Sequence, residues 1–160
     1  MNLLNPSCRS AQSCIGSLCL YDVQLSSTTL AREGMLKFQA HSHLPGILLV
    51  KGSQLVGIFS RQVFFEQSCL VAGPLGWEQP IENLIPLHGE PPLVVSDRTL
   101  ILEVAAQIRQ RPSLVAFDPI AVTFRDGSLR LVDARDVLMA QSEIAGATEQ
   151  QIIEIGRAHV

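Results

Sequence analysis

Leu55-Val56-Gly57-Ile58-Phe59-Ser60-Arg61-Gln62-Val63-Phe64-Phe65-Glu66-Gln67-Ser68 returns later in the chain as Leu129-Arg130-Leu131-Val132-Asp133-Ala134-Arg135-Asp136-Val137-Leu138-Met139-Ala140-Gln141-Ser142. The two stretches lie about 74 residues apart, and Leu, Arg, Val, Gln and Ser recur at identical offsets. Pro45 and Pro119, just upstream, keep the same offset. An internal repeat constrains architecture before any single motif does. This one points to two copies of one α/β unit packed together, and away from one large enzyme fold.

Outward from the repeat, both copies spell the same order of elements. Leu18 to Val23 alternates well enough for a short strand, and Ser26-Ser27-Thr28-Thr29 offers hydroxyls to cap a helix from Leu30 to about Ala40. Leu30, Gly34 and Phe38 form its apolar stripe. In the second copy Leu93-Val94-Val95 is the strand, Ser96-Asp97-Arg98-Thr99 the cap, and Leu100, Val104 and Ile108 the stripe. A hairpin follows each helix: Gly46 to Val50 with Leu55 to Ser60, then Ile120 to Phe124 with Ser128 to Val132. Asp126-Gly127 between the second pair tolerates the positive φ of a tight turn. The last helices are expected over about Gln62 to Ser68 and from Ala134 to Ser142 or beyond.

This divides the chain into an irregular lead-in (1–17), a first repeat (18–71), a Gly/Pro-rich linker (72–92), a second repeat (93–142) and a helical extension (143–160). Ile81 to Ile85 is expected to make one helical turn in the linker, and Trp77 to pack the linker onto the body.

Bulk properties fit a globular, non-catalytic module. Apolar residues make up 47% of the 160, charged residues 17%, and the net charge is −3. Lys and Arg are scattered, which argues against a nucleic-acid surface. Cys8, Cys14, Cys19 and Cys69 lack C-x-x-C or Cys/His ligand spacing, so free buried thiols in a reducing cytosol are expected. No basic n-region opens the chain, and no apolar run approaches the roughly 20 residues that cross a bilayer, so the expected compartment is the cytoplasm. G-x-S-x-G, P-loop and H-E-x-x-H patterns are missing, and no enzyme activity is expected. His41-Ser42-His43 has no acidic or Cys companions and reads as a polar loop; no metal site is expected.

Strand, helix, strand, strand, helix, twice over roughly Leu18 to Ser142, resembles the cystathionine-β-synthase-type (CBS) domain pair, often called a Bateman module. The matches are the Thr-Leu helix starts, the Pro before an apolar strand, the Gly-turn hairpins and the stretch Leu55 to Arg61. That stretch looks like the family signature of Gly, two apolar residues, Thr or Ser, two variable residues and Asp. The resemblance implies an α/β (α+β) fold of tandem repeats packed with pseudo-two-fold symmetry. It further implies an apolar cleft for adenine, a hydroxyl at phosphate and an Asp on the ribose hydroxyls.

Departures from the signature shape the expected site. Gly57 and Ser60 match, but Val63 stands at the Asp position, and a missing buried acceptor typically costs about 1–3 kcal/mol. The second copy is open by one residue. Its outer identities place Ala134 and Val137 at the hydroxyl and Asp positions; sliding by one places Asp133 and Asp136 there, with Arg130 replacing Gly. A carboxylate at Asp133 would repel phosphate and suit adenosine better than a nucleotide. Arg61 and Arg135 read either as phosphate-facing guanidiniums near the pseudo-axis or as surface ion-pair residues.

The expected ligand site is therefore Gly57, Ser60, Arg61, Asp133, Arg135 and Asp136, with Pro45 and Ile47 lining one cleft and Pro119 and Ile120 the other. The implied function is regulatory: an adenine nucleotide (AMP, ADP or ATP) or S-adenosylmethionine as ligand, with no required cofactor, and a homodimer through apolar helix faces. Asp136 to about Ile155 is helix-compatible, and this end resembles the N-terminal regions of bacterial signalling proteins with histidine kinase or diguanylate cyclase outputs. An output domain or partner beyond that helix is expected, whether the chain is a fragment or free-standing. The rival expectation is a ligand-free dimerisation or docking module with relic signatures.

Overall fold

Each copy builds one three-stranded sheet and two helices. In the computed structural model, which describes residues 9–71, 73–85 and 90–158, β1 (Gln24–Ser26) runs parallel to β2 (Gly46–Lys51), which pairs antiparallel with β3 (Gln54–Ser60). Helix α1 (Ala31–Ala40) connects β1 to β2, and α2 (Arg61–Val71) follows β3. The second copy repeats this with β4 (Val94–Ser96), α3 (Ile101–Arg109), β5 (Ile120–Thr123), β6 (Leu129–Val132) and α4 (Ala134–Ala158). The remaining parts of the lead-in, linker and tail (1–8, 72, 86–89 and 159–160), Cys8 among them, lie outside the described residues. Cys14 and Cys19 are free thiols, but neither is buried as expected: Cys14 is half-buried and Cys19 exposed, both in the irregular segment before β1.

Turn chemistry acts as the sequence suggests: Gly52 (φ +64) and Gly127 (φ +85) take the left-handed positions of the two hairpin turns. Two expectations need correction. The first strand begins at Gln24, not Leu18; the alternation from Leu18 to Val23 belongs to a crossing segment that touches β6 at one bridge, Tyr21 to Leu131. The hydroxyl runs cap neither α1 nor α3, whose N-cap residues are Leu30 and Leu100. Backbone carbonyls do that work instead: Ala31 N–H donates to Gln79 O (2.8 Å), and Ile101 N–H donates to Ser13 O (3.0 Å).

Those carbonyls come from two equivalent arms. Ile15, before the first copy, is fully buried in the second copy's core, and its N–H donates to Thr99 O (2.8 Å). Ile81, before the second copy, is fully buried in the first copy's core, and its N–H donates to Thr29 O (2.7 Å). Both isoleucines sit in short 3₁₀ turns, Ile15–Ser17 and Ile81–Leu84. Lead-in and linker are thus one repeated element, and each docks on the distant copy for the first or on the preceding copy for the second. Trp77 holds the linker to the body, with its ring centroid 5.8 Å from that of Phe64.

Strand alternation divides the core into three layers. Ile47, Leu49 and Phe59 face α1 and α2, where they meet Phe38 and Phe64. Ile120, Val122 and Val132 face α3 and α4, where they meet Val104, Ile108 and Val137. Leu48, Ala121, Leu129 and Leu131 lie between the sheets. Matching facings makes Ile47 equivalent to Ile120, Phe59 to Val132 and Phe64 to Val137. That spacing is one residue less than the outer identities suggest. The internal register therefore sets Gly57 against Arg130, Ser60 against Asp133 and Val63 against Asp136. Arg61 is equivalent to Ala134, not to Arg135.

Gly46 packs tightly against its own sheet and the other copy: a Cβ there would sit 2.7 Å from Phe59 O and 3.0 Å from Pro119 Cγ. Gly46→Ala is expected to lower unfolding free energy by about 1–3 kcal/mol. Gly146→Ala, on an exposed face of α4 where a Cβ meets nothing within 4 Å, should raise it by up to about 1 kcal/mol. Urea melts of the two variants check both signs.

Candidate functional site

A cleft of about 540 Å³ opens between the copies, within the size range of small-ligand sites. One wall is the end of β3 and the start of α2, carrying Gly57, Ser60, Val63 and Glu66. The arm leading to the second copy supplies Ile85, Pro91 and Pro92. The loop between α3 and β5 closes it from the second copy with Arg111, Asp118 and Pro119. Both repeats are therefore needed to make one pocket.

Local bonding positions the polar groups. Ser60 caps α2, its Oγ accepting the Val63 N–H at 3.2 Å; its own O–H is left to donate. Arg111 Nη1 donates to Asp118 O at 2.8 Å and fixes the second-copy loop. Burial pushes the Asp118 carboxyl above the usual carboxylate range, with Arg111 opposing. Burial likewise lowers Arg111, with Asp118 opposing.

The pseudo-symmetric position looks different. A second, more open cavity of about 520 Å³ is lined by Leu20 to Val23 and Ala40 to Leu44, without a wall from β6 or α4. Side chains explain why. Arg130 stands where the first copy has Gly57, and its Nη1 lies 3.3 Å from Asp22 Oδ1, at the place equivalent to Pro92. Tyr21, equivalent to Pro91, exchanges backbone hydrogen bonds with Leu131 (2.8 and 2.9 Å). Burial first, then Cys19, Asp136 and Asp133, raise the Tyr21 phenol above its ordinary value. Asp136 is raised by burial and then by Asp133, with Arg9 opposing. Where one cleft has glycine and prolines, the other holds an ion pair and a ring.

The expected site residues consequently separate. Gly57, Ser60 and Pro119 share the first cleft. Asp133 and Asp136 belong to the Tyr21 side. Ile47 and Ile120 line no cleft; both are fully buried against helices. Pro45 is half-buried, its carbonyl accepting the Arg61 N–H at 2.9 Å. Arg61 does not face the first cleft. Its guanidinium donates to Leu44 O (2.9 Å), Phe38 O (3.0 Å) and His41 O, and lies 4.8 Å from the Phe38 ring centroid. It ties the start of α2 to the end of α1. Arg135 is exposed, and its backbone N–H donates to Asp133 Oδ1 at 2.9 Å. Sequence reading missed Arg111 and Asp118; the only trace of them is their place just before Pro112 and Pro119.

No family model and no curated protein matches the sequence. Solved structures do, and the chain has the fold of a CBS domain pair. It resembles an acetoin utilization protein (AcuB) from Vibrio cholerae with a TM-score of 0.62 at 13% identity, covering 86% of this chain and 96% of that one. CBSX2, solved in complex with AMP, gives 0.54 at 19% identity over 83% of this chain and 98% of CBSX2. The cytosolic domain of the Mg²⁺ channel MgtE, solved in complex with ATP, gives 0.57 at 18% identity over 83% of this chain and 50% of that chain.

Arg61→Ala should destabilise the fold by about 2 kcal/mol, since three carbonyls lose a charged donor, while leaving the first cleft intact; a denaturant melt reads the loss. Asp118 gives a pH test. Its folded-state value is raised, so the stability it contributes is fully present below the unfolded value and lost as pH rises through the folded value. Asp118→Asn is expected to raise Tm at pH 7, and the gain should shrink as pH falls through the usual carboxylate range.

Proposed function

We propose that the chain is a regulatory module that binds an adenine nucleotide or nucleoside in the first cleft and signals through the packing of its two copies. One observation carries this: the cleft is open where Gly57 and Ser60 keep the signature places and the opposite copy closes it. The AMP and ATP complexes of CBSX2 and MgtE support an adenine ligand on the same fold. Because the walls come from both repeats, a bound ligand favours one relative arrangement of them. Control requires different affinity for two arrangements, and a two-walled cleft supplies that difference.

In this account the module works in the cytoplasm as a homodimer, and α4 carries the change to an output domain or partner. Among the described residues no helix is long and apolar enough to cross a membrane. A second reading has its own support: Ile152, Ile153 and Ile155 are 65%, 53% and 60% exposed near the end of α4. That exposure suits a dimerisation or docking module in which ligand plays no part.

A thermal-shift screen with AMP, ADP, ATP, adenosine and S-adenosylmethionine separates the two. A ligand at about a hundred times its Kd should stabilise the fold by roughly 2.7 kcal/mol. Gly57→Arg copies the arginine of the equivalent position, Arg130, into the first cleft; the position has room, since an added Cβ meets only Ile85 Cδ1 at 3.6 Å. The variant is expected to fold and to lose the shift. Silence of the parent across the panel, with a stable dimer, would favour docking.

A further inference from the structure

Three facts about the first cleft do not fit a nucleotide site of the signature type. Val63 stands where an acceptor for sugar hydroxyls is expected, and it lines the cavity with no polar atom to offer. A carboxylate enters the same cavity from the opposite copy: Asp118, whose backbone oxygen is occupied by Arg111 but whose carboxylate has no hydrogen-bond or ion-pair partner among the described residues. The charges are also unusual for a phosphate site. Glu66, Glu90 and Asp118 line the cleft, against Arg111 as the one cation among the described lining residues.

We propose that Asp118 replaces the missing signature carboxylate, accepting the vicinal hydroxyls of a nucleoside whose remainder carries little negative charge. The sugar then lies against the second-copy wall, and the base has the apolar arm of Ile85, Pro91 and Pro92. Ser60 meets the sugar's 5′ side with its O–H, and Glu66 disfavours a polyphosphate there. The shallower cavity beside Tyr21, which has no wall from β6 or α4, takes no part. The raised carboxyl of Asp118 is consistent with a group kept at some cost to stability, as ligand-binding groups often are.

This rests on ligand binding in the first cleft, and the test keeps the two apart. Calorimetric titration uses adenosine, 2′,3′-dideoxyadenosine, AMP and ATP on the parent, Asp118→Asn and Glu66→Gln, with thermal melts confirming that each variant is folded. In the parent, adenosine is expected to bind at least about tenfold tighter than the dideoxy analogue, the size of one charged hydrogen bond, and ATP weaker than adenosine. Asp118→Asn should erase the preference for the diol. Glu66→Gln should narrow the gap between adenosine and ATP. The parent comparison needs no variant, so a misfolded mutant cannot hide the answer. If ATP binds tightest, or the diol preference survives in Asp118→Asn, the assignment of Asp118 is overturned while binding in the cleft stands. If the folded parent binds none of the four, both fall.

Discussion

The face-to-face contact of two three-stranded sheets holds the rest of the molecule in place. Sheets this small are not stable alone, and each here buries one side on its own helices and the other on its neighbour. Leu48, Ala121 and Leu131, all fully buried, fill the layer between them. Complete burial of each leucine contributes about 1.5–3 kcal/mol. Gly46 lets β2 approach Pro119 at the edge of this layer. The two arms then cross-link the assembly, Ile15 and Ile81 each filling a gap beneath a helix start. A cleft between copies is the geometric remainder of that packing: the twisted sheets touch at the centre and diverge at the edge.

Duplication gives two such edges, and side-chain size decides their fates. Gly57, Pro91 and Pro92 let one cleft reach the wall of β3 and α2; Arg130, Tyr21 and Asp22 place an ion pair and a ring at the other, whose cavity is shallower and has no wall from β6 or α4. The first cleft is itself asymmetric, walled by β3 and α2 of one repeat and by only a loop of the other. Helix α4 is continuous from the body at Ala134 to Ala158.

Much of the architecture was legible in the sequence, and the reasons are local. Helix positions such as Val104 and Ile108, and turn pairs such as Asp126-Gly127, depend on near neighbours only; Leu30 and Leu100, read as the first members of the stripes, are instead N-caps outside the buried faces. The register was harder. Identities such as Leu55 with Leu129 and Arg61 with Arg135 misplace the second copy by one residue, because they compare positions that do different jobs: Arg61 grips three carbonyls, whereas Arg135 is exposed. Facing in the sheet decides the register, and a one-residue slip reverses every facing. The arms could not be read, because the partners of Ile15 and Ile81 are far away in sequence. Arg111 and Asp118 escaped for the same reason: they sit in a loop without a motif, and only the packing of one repeat on the other brings them opposite Ser60.

The central claim is that the cleft lined by Gly57, Ser60 and Asp118, and not the shallower cavity beside Tyr21, receives an adenine-bearing ligand. Amide chemical-shift mapping during an adenosine titration tests it directly. The account predicts that perturbations cluster at Gly57, Ser60, Val63 and Asp118 and spare Tyr21, Arg130 and Asp133. Perturbations centred on Tyr21 and Asp133, with Gly57 and Asp118 unmoved, would contradict it.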